Sequence, residues 1–296
     1  MIKIPFHPMI FEFEYLALSW HGFFSLVGVV AAIYIVIKQS RKAGIEDDLV
    51  FNVASWGVIG GIIGARLVHI IDNLDYYIDN PLYFIYIWKG GIGLWGGIIG
   101  GITGGLLYLK LTKASSETMG QLMDFAAPAM LAGQAIGRIG DIVNGEHCSR
   151  ATDFFFGWYF SNPNSPGYSC VVRSENYSNG HFPRGTDPST AVHPAVAYEF
   201  IWDILGMVLL VALRNKIKPL GSLWFVYLAW YSLGRFAIQW VRLDKAYILG
   251  LQEAHFIAII CFIVSIIFLG IKLNFFLNFT IPIVSPKLVQ KIYFSL

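Results

Sequence analysis

Apolar residues fall in long runs separated by short polar breaks, and most runs approach the ~20 residues that carry a helix across a bilayer. In chain order they cover Ser19 to Ile37, Leu49 to Ile71, Gly90 to Lys110, Gln121 to Val143, Pro194 to Leu213, Leu220 to Val241 and Glu253 to Lys272. The pattern predicts an all-α polytopic membrane protein of seven transmembrane helices, a single membrane domain over residues 1–296. Leu82 to Trp88 is expected to lie along the membrane surface. The only sizeable polar stretch, residues 147–192, is rich in Asn, Ser, Pro and Gly. It is expected to form a small extracytoplasmic head of loops between the fourth and fifth spans, with a short strand in FFFGWYF (154–160).

The breaks also report orientation. Lys38, Arg41 and Lys42 follow the first span, LKLTKASSETMG the third and RNKIKP the fifth, and the tail carries Lys272, Lys287 and Lys291. Positive loops stay on the cytoplasmic side, so the chain is expected to run N-out and C-in. The first residues lack the basic stretch, apolar run and cleavage site of a signal peptide. Composition agrees, with 56% hydrophobic and 14% charged residues and a mean hydropathy of +0.59. A net charge of +2 is too small to argue for a nucleic-acid partner.

Glycine spacing bears on packing. Gly60 and Gly64, the series Gly93, Gly97, Gly101 and Gly105, and the pair Gly133 and Gly137 recur every four residues, which lets helix backbones approach closely in lipid. The pairs Gly90-Gly91 and Gly96-Gly97 are also expected to be able to break a helix and open a cavity at membrane depth.

Charges inside the spans carry the chemistry. Arg66 and His69 lie near the outer end of the second span, Arg138 and Asp141 of the fourth, and Arg235, Gln239 and Arg242 of the sixth. Helical period puts Tyr231, Arg235 and Gln239 on one face. Intramembrane ionisable residues are costly, and arginine's planar, permanently charged fork suits phosphate, so the cluster points to a phospholipid headgroup. The plainer reading is that Arg138 and Arg235 tie helices together through Asp141, Glu146 or Glu199. The stretch GQAIGRIGDIVNGE (133–146) concentrates these features, breaking at Asn144-Gly145 just before Glu146.

GRIGDIVNGE closely resembles the signature of the prolipoprotein diacylglyceryl transferase family, Gly-Arg-x-Gly-Asn-x-x-Asn-x-Glu. Other family motifs read here, in order, as SWHGFF, GARLVH, GGIGLWGG, HPAVAYE and YSLGRF. The resemblance spans nearly all the membrane segments, leaving the head and the C-terminal tail unmatched. It implies a multi-pass protein of the bacterial cytoplasmic (inner) membrane with its site toward the outer leaflet. The implied reaction moves the diacylglyceryl group of phosphatidylglycerol to the lipobox cysteine thiol of a prolipoprotein, forming a thioether and releasing glycerol phosphate. No cofactor is expected, and no set of metal ligands stands out. Arg138 and Arg235 match the family's arginines and would hold the phosphate. Asn144 and Glu146 match the second asparagine and the glutamate, and would orient the arginines and glycerol hydroxyls. Arg66, Asp141, His193, Glu199, Tyr231, Gln239 and Arg242 complete the expected substrate-binding set.

This chain departs from the family pattern at informative places. The histidine of the family's His-Gly-Gly segment is Trp95, which cannot accept a proton. The first signature asparagine is Asp141, and the tyrosine after the first-span tryptophan is His21; Ala195 and Val196 replace the serine and glutamine after His193-Pro194. His21 is therefore the expected proton acceptor, with packing as its alternative role; Asp141, paired with Arg138, would be a poor base. Because of Trp95 and Asp141, a lipid- or lipoprotein-binding paralogue without transfer is an alternative reading, and a small-solute transporter is another, although no inverted repeat is visible. Cys148 and Cys170 share the head, where a disulfide and two free thiols are both open; Cys261 lies in the seventh span.

Overall fold

The structure is a computed structural model that describes residues 1–13, 17–84, 86, 93–173, 181–244 and 246–280, with the side chains of residues 94, 95, 246, 247 and 274–280 left aside. The first elements are three short strands, β1 (Ile2–Ile4), β2 (Met9–Glu12) and β3 (Ala17–Ser19). Helices follow: α1 (Trp20–Lys42), α2 (Asp47–Asp72), the short α3 (Leu74–Asp79), α4 (Leu94–Leu111) and α5 (Ser116–Asn144). The head holds strand β4 (Trp158–Phe160) and helix α6 (Pro166–Val172). After it come α7 (Ala195–Leu213), α8 (Ser222–Gln239), the hairpin β5 (Ala246–Ile248) and β6 (Leu251–Gln252), and α9 (Glu253–Thr280).

Each expected span coincides with a long helix. Of these, α1, α2, α7 and residues Glu253–Leu273 of α9 are long and apolar enough in themselves to cross a membrane. The apolar part of α4, Gly96–Leu111, is shorter. The protein is thus mostly helical and polytopic. The surface segment expected over Leu82 to Trp88 is described only in part: Pro81–Phe84 form one 3-10 turn, and residues 87–92, with Gly90-Gly91, lie outside the described residues. Gly96-Gly97 does not break its helix, because it lies inside α4.

Two compact units divide the chain, residues 1–32 with 126–296 and residues 33–125. In the smaller, α2 and α4 pack backbone to backbone. A Cβ on Gly64 would lie 2.2 Å from the Gly96 carbonyl oxygen and one on Gly100 2.2 Å from that of Gly60, so any side chain there would push the helices apart. Beside them Ile45, Val50, Leu109 and Leu122 form a small apolar cluster. Arg66 belongs to this unit. Its guanidinium donates to the carbonyls of Phe84, at 3.1 Å, and Tyr83, and lies 5.2 Å from the centre of the Tyr77 ring.

The larger unit has two apolar centres. One lies among α5, α7 and α8, where Ala127, Leu131, Leu210, Leu223 and Tyr227 are buried. The other is the core of the head, built from Ile4, Cys148, Phe160, Cys170, Val171, Phe182, Val192 and Leu243. The strand expected in FFFGWYF is β4, confined to its second half; Phe154–Gly157 turns instead, closed by the Gly157 amide on the Phe154 carbonyl (2.9 Å). β4 pairs in parallel with β1, which binds the N-terminal arm to the head. Cys148 and Cys170 are joined as a disulfide, their Cα atoms 5.7 Å apart.

Candidate active site

The candidate site is assembled where the start of α1, the end of α5, α7 and α8 meet, from residues that all belong to the larger unit. Close backbone contact sets the α1–α5 side. A Cβ on Gly140 would fall 2.7 Å from the Trp20 carbonyl oxygen and 2.9 Å from the His21 Cα, so only glycine lets the start of α1 rest on α5. That contact brings His21 to the next residue, Asp141. His21 Nδ1 is hydrogen-bonded to Asp141 Oδ1, and the Asn144 side-chain oxygen accepts from the His21 amide at 3.4 Å.

Beyond Asn144 the chain turns sharply. Gly145 has a positive φ of 69°, the left-handed conformation a glycine adopts without steric penalty. The Glu146 amide returns to the Asp141 carbonyl (3.0 Å), and the Asn144 amide group donates to Glu146 Oε1 (2.8 Å). Glu146 Oε1 is 4.0 Å from His21 Nδ1. The signature glutamate therefore faces His21 and Asn144, whereas the reading above placed it among the arginines.

A different carboxylate gathers the arginines. Glu199 on α7, 6% exposed, lies 3.0 Å from Arg138, 2.7 Å from Arg235 and 3.5 Å from Arg242. Arg138 also bonds Asp141 Oδ2 at 2.8 Å, and Arg242 bonds Asp244 at 3.0 Å. A series of alternating charges thus runs from Asp141 through Arg138 and Glu199 to Arg235 and Arg242, with His21 hydrogen-bonded at its Asp141 end. Such pairing is how a low-dielectric interior tolerates charge. Arg138 and Arg235 keep about a fifth of their side chains exposed (19% and 21%) and line one pocket with Glu199, Trp202, Asp203, Tyr231, Gly234 and Ile238.

Two tryptophans clamp α7 to α8 beside this pocket. Trp202 and Trp230 stack with ring centres 4.2 Å apart, and each indole N–H donates to the other's backbone carbonyl, at 3.0 and 3.1 Å. Each ring sits over a glycine of the facing helix: Cβ atoms on Gly234 and Gly206 would lie 2.1 and 2.2 Å from the indole nitrogens of Trp202 and Trp230. The clamp fixes the register that sets Glu199 opposite Arg235.

Other expected site residues are spent elsewhere. Gln239, fully buried, bonds Asp244 (2.6 Å) and Gln252, tying the end of α8 to the β5–β6 hairpin. His193 faces the Tyr198 hydroxyl at 3.2 Å. Arg66 lies in the other unit, and the Trp95 side chain is outside the described set. Three groups escaped the sequence reading. His147 Nδ1 accepts from Arg242 at 2.9 Å, and burial, reinforced by Arg242, pushes its imidazole down to about 3, so it is neutral at ordinary pH. Asp244 holds Arg242 from the far side; burial works against its charge, but Arg242 and Gln239 keep it below the usual carboxylate range. The third, Asp203, lines the pocket. Its one-turn spacing from Glu199 on α7 was the available signal.

The ligand atoms of His21, Asp141 and Glu146 lie within 4.8 Å of one another, close enough to surround a metal ion, a convergence the linear spacing did not reveal. Both Asp141 oxygens are already bonded, one to His21 and one to Arg138, so the cluster is closed as a hydrogen-bonded dyad.

Comparison with known proteins bears directly on this constellation. The family model for prolipoprotein diacylglyceryl transferase matches residues 8–271. Proteins named phosphatidylglycerol–prolipoprotein diacylglyceryl transferase from Staphylococcus aureus strains MSSA476, Newman and JH9 are each 31% identical to it over 260 residues, 88% of this chain and 86% of theirs. The match encloses every residue of the His21–Asp141 dyad and the arginine cluster, and the chain belongs to the prolipoprotein diacylglyceryl transferase family.

Proposed function

We propose that this chain, a diacylglyceryl transferase by family, moves the diacylglyceryl group of phosphatidylglycerol to the lipobox cysteine of a prolipoprotein, with Arg138 and Arg235 holding the donor phosphate. The observation that carries the reading is a pocket in which both guanidinium groups converge on Glu199 while staying partly exposed. Glu199 pre-organises the two forks, so a phosphate entering between them meets donors already aimed.

In the step itself the cysteine sulfur attacks the glyceryl carbon that bears the phosphate. The C–O bond breaks, its electron pair stays on the phosphate oxygen, and glycerol phosphate departs as the thioether forms. Thiolate is the reactive form, so the thiol proton needs an acceptor. His21 takes it in this reading. The Asp141 carboxylate accepts a hydrogen bond from Nδ1–H and so fixes the tautomer, leaving Nε2, on a side chain 48% exposed, as the basic nitrogen. Asn144 and Glu146 hold the turn that keeps Asp141 in place. Seven spans with N-out, C-in topology put the head outside and the pocket in the outer leaflet of the cytoplasmic membrane, where lipoprotein precursors emerge.

Arg138→Ala and Arg235→Ala test the phosphate role. Each is expected to remove most transfer from a folded protein, and lysine to rescue poorly, because a point charge does not reproduce two-pronged geometry. Parental activity in either alanine variant would overturn it.

A further inference from the structure

The pocket contains a second acid that the reaction as drawn leaves unused. Asp203 sits one turn beyond Glu199 on α7, on the same face, and is 3% exposed. Glu199 is committed to Arg138, Arg235 and Arg242, whereas Asp203 makes no hydrogen bond or ion pair with any described residue. A buried carboxyl that makes no hydrogen bond or ion pair is expensive, and more so at membrane depth, so its place in a pocket with two arginines calls for an occupant.

Charge and depth identify what that occupant does. Among the pocket-lining residues, Arg138 and Arg235 are offset by Glu199 and Asp203 when both acids are ionised, and a phosphodiester would then enter a site with no net positive charge. With a proton on Asp203 the lining carries one positive charge, which matches one phosphodiester. Depth adds direction. α7 starts at the head, so Asp203 lies about 6 Å further from the head than Glu199. A lipid of the head-side leaflet points its acyl chains away from the head. With its phosphate between the arginines, the bridging oxygen to the diacylglyceryl carbon is on the Asp203 side.

We propose that Asp203, in its protonated form, is the acid that protonates the departing phosphate oxygen. The inference rests on the arginines holding the phosphate. The sulfur–carbon bond forms and the carbon–oxygen bond breaks. The thiol proton goes to His21, and the Asp203 proton goes to the oxygen that receives the electron pair. Glycerol phosphate thus leaves with one charge fewer, and Asp203, left ionised, regains a proton from water once the product has gone. Two groups, one on each side of Arg138, divide the proton traffic.

The test is steady-state transfer from phosphatidylglycerol vesicles to a lipobox peptide by Asp203→Asn and Asp203→Glu, with Arg235→Ala alongside. Asp203→Asn is expected to lower kcat about 100-fold, in the range of general acid catalysis, with KM for the lipid nearly unchanged. Its melting temperature should hold or rise, since the amide replaces an unpaired buried acid. Asp203→Glu keeps a transferable proton and should recover much of the lost kcat. Parental kcat in Asp203→Asn, or equal losses in two folded variants, would overturn the acid role. Arg235→Ala separates the two claims: if it leaves both KM and kcat unchanged, the phosphate assignment itself fails.

Discussion

Glu199→Gln removes the one anion that three arginines share while leaving the volume nearly the same. Asp141 still faces Arg138 and Asp244 still faces Arg242, but Arg235 loses its only ion pair among the described residues. Removing one member of a buried pair costs about 3–5 kcal/mol, because the survivor is left charged and unpaired. Arg235 is 21% exposed and partly screened, so the lower end applies, about 3 kcal/mol. By the scaling of soluble domains that is a fall of roughly 6–12 °C in melting temperature. Thermal unfolding in detergent, followed by tryptophan fluorescence, measures it. Glu199→Gln/Arg235→Met removes both charges and should restore most of the stability, since deleting a buried pair together is far less costly than breaking it. Neither variant should transfer lipid at a useful rate, because the phosphate fork is gone or misaligned. A Glu199→Gln protein that melts with the parent, or a double variant no more stable than the single, would refute Glu199 as the organiser of the cluster.

Further outcomes follow from the same geometry. His21→Gln should lower kcat by about 100-fold or more while donor binding survives, and should abolish one ionisation in the pH–rate profile; an unchanged profile would return His21 to packing. His147 lies below its unfolded value, so the unfolded chain binds the extra proton, and stability should fall as pH drops from about 6.5 toward 3. A His147→Gln variant should show a flatter acid limb in a plot of melting temperature against pH. Gly234→Ala would drive a methyl to 2.1 Å from the Trp202 indole nitrogen and should cost about 1–3 kcal/mol by overpacking, read as a lower melting temperature together with reduced transfer. Cys148→Ser/Cys170→Ser opens a link between residues 22 apart and should destabilise the head by about 3 kcal/mol, seen as faster proteolysis within residues 147–192.

Much of this architecture was legible in the residues. Each apolar run became a helix, and the four-residue glycine spacing became the contact of α2 with α4. Arg138, Arg235 and Asp141 meet as their positions near helix ends suggested. What periodicity could not supply was partner choice. A helical face says which side of α7 is polar, not that Glu199 rather than Glu146 would gather the arginines. That outcome follows from the Trp202–Trp230 clamp, which sets α7 against α8, and from the positive-φ turn at Gly145, which carries Glu146 back over Asp141 toward His21. The His21–Asp141 contact depended on Gly140, whose missing Cβ lets α1 and α5 touch there. Gly96-Gly97 went the other way: glycines able to end a helix serve instead as the contact surface of a continuous one. Gln239 shared a helical face with Arg235, yet the β5–β6 hairpin, invisible to helical period, claims its amide.

Transfer of a diacylglyceryl group with a phosphate leaving group can be followed in a single reaction. The purified protein is incubated with phosphatidylglycerol vesicles and a lipobox cysteine peptide, and both products are followed by mass spectrometry. The expected product is a peptide heavier by one diacylglyceryl group on its cysteine, with one glycerol phosphate released per modified peptide. An unmodified peptide, or modification without glycerol phosphate, would contradict it.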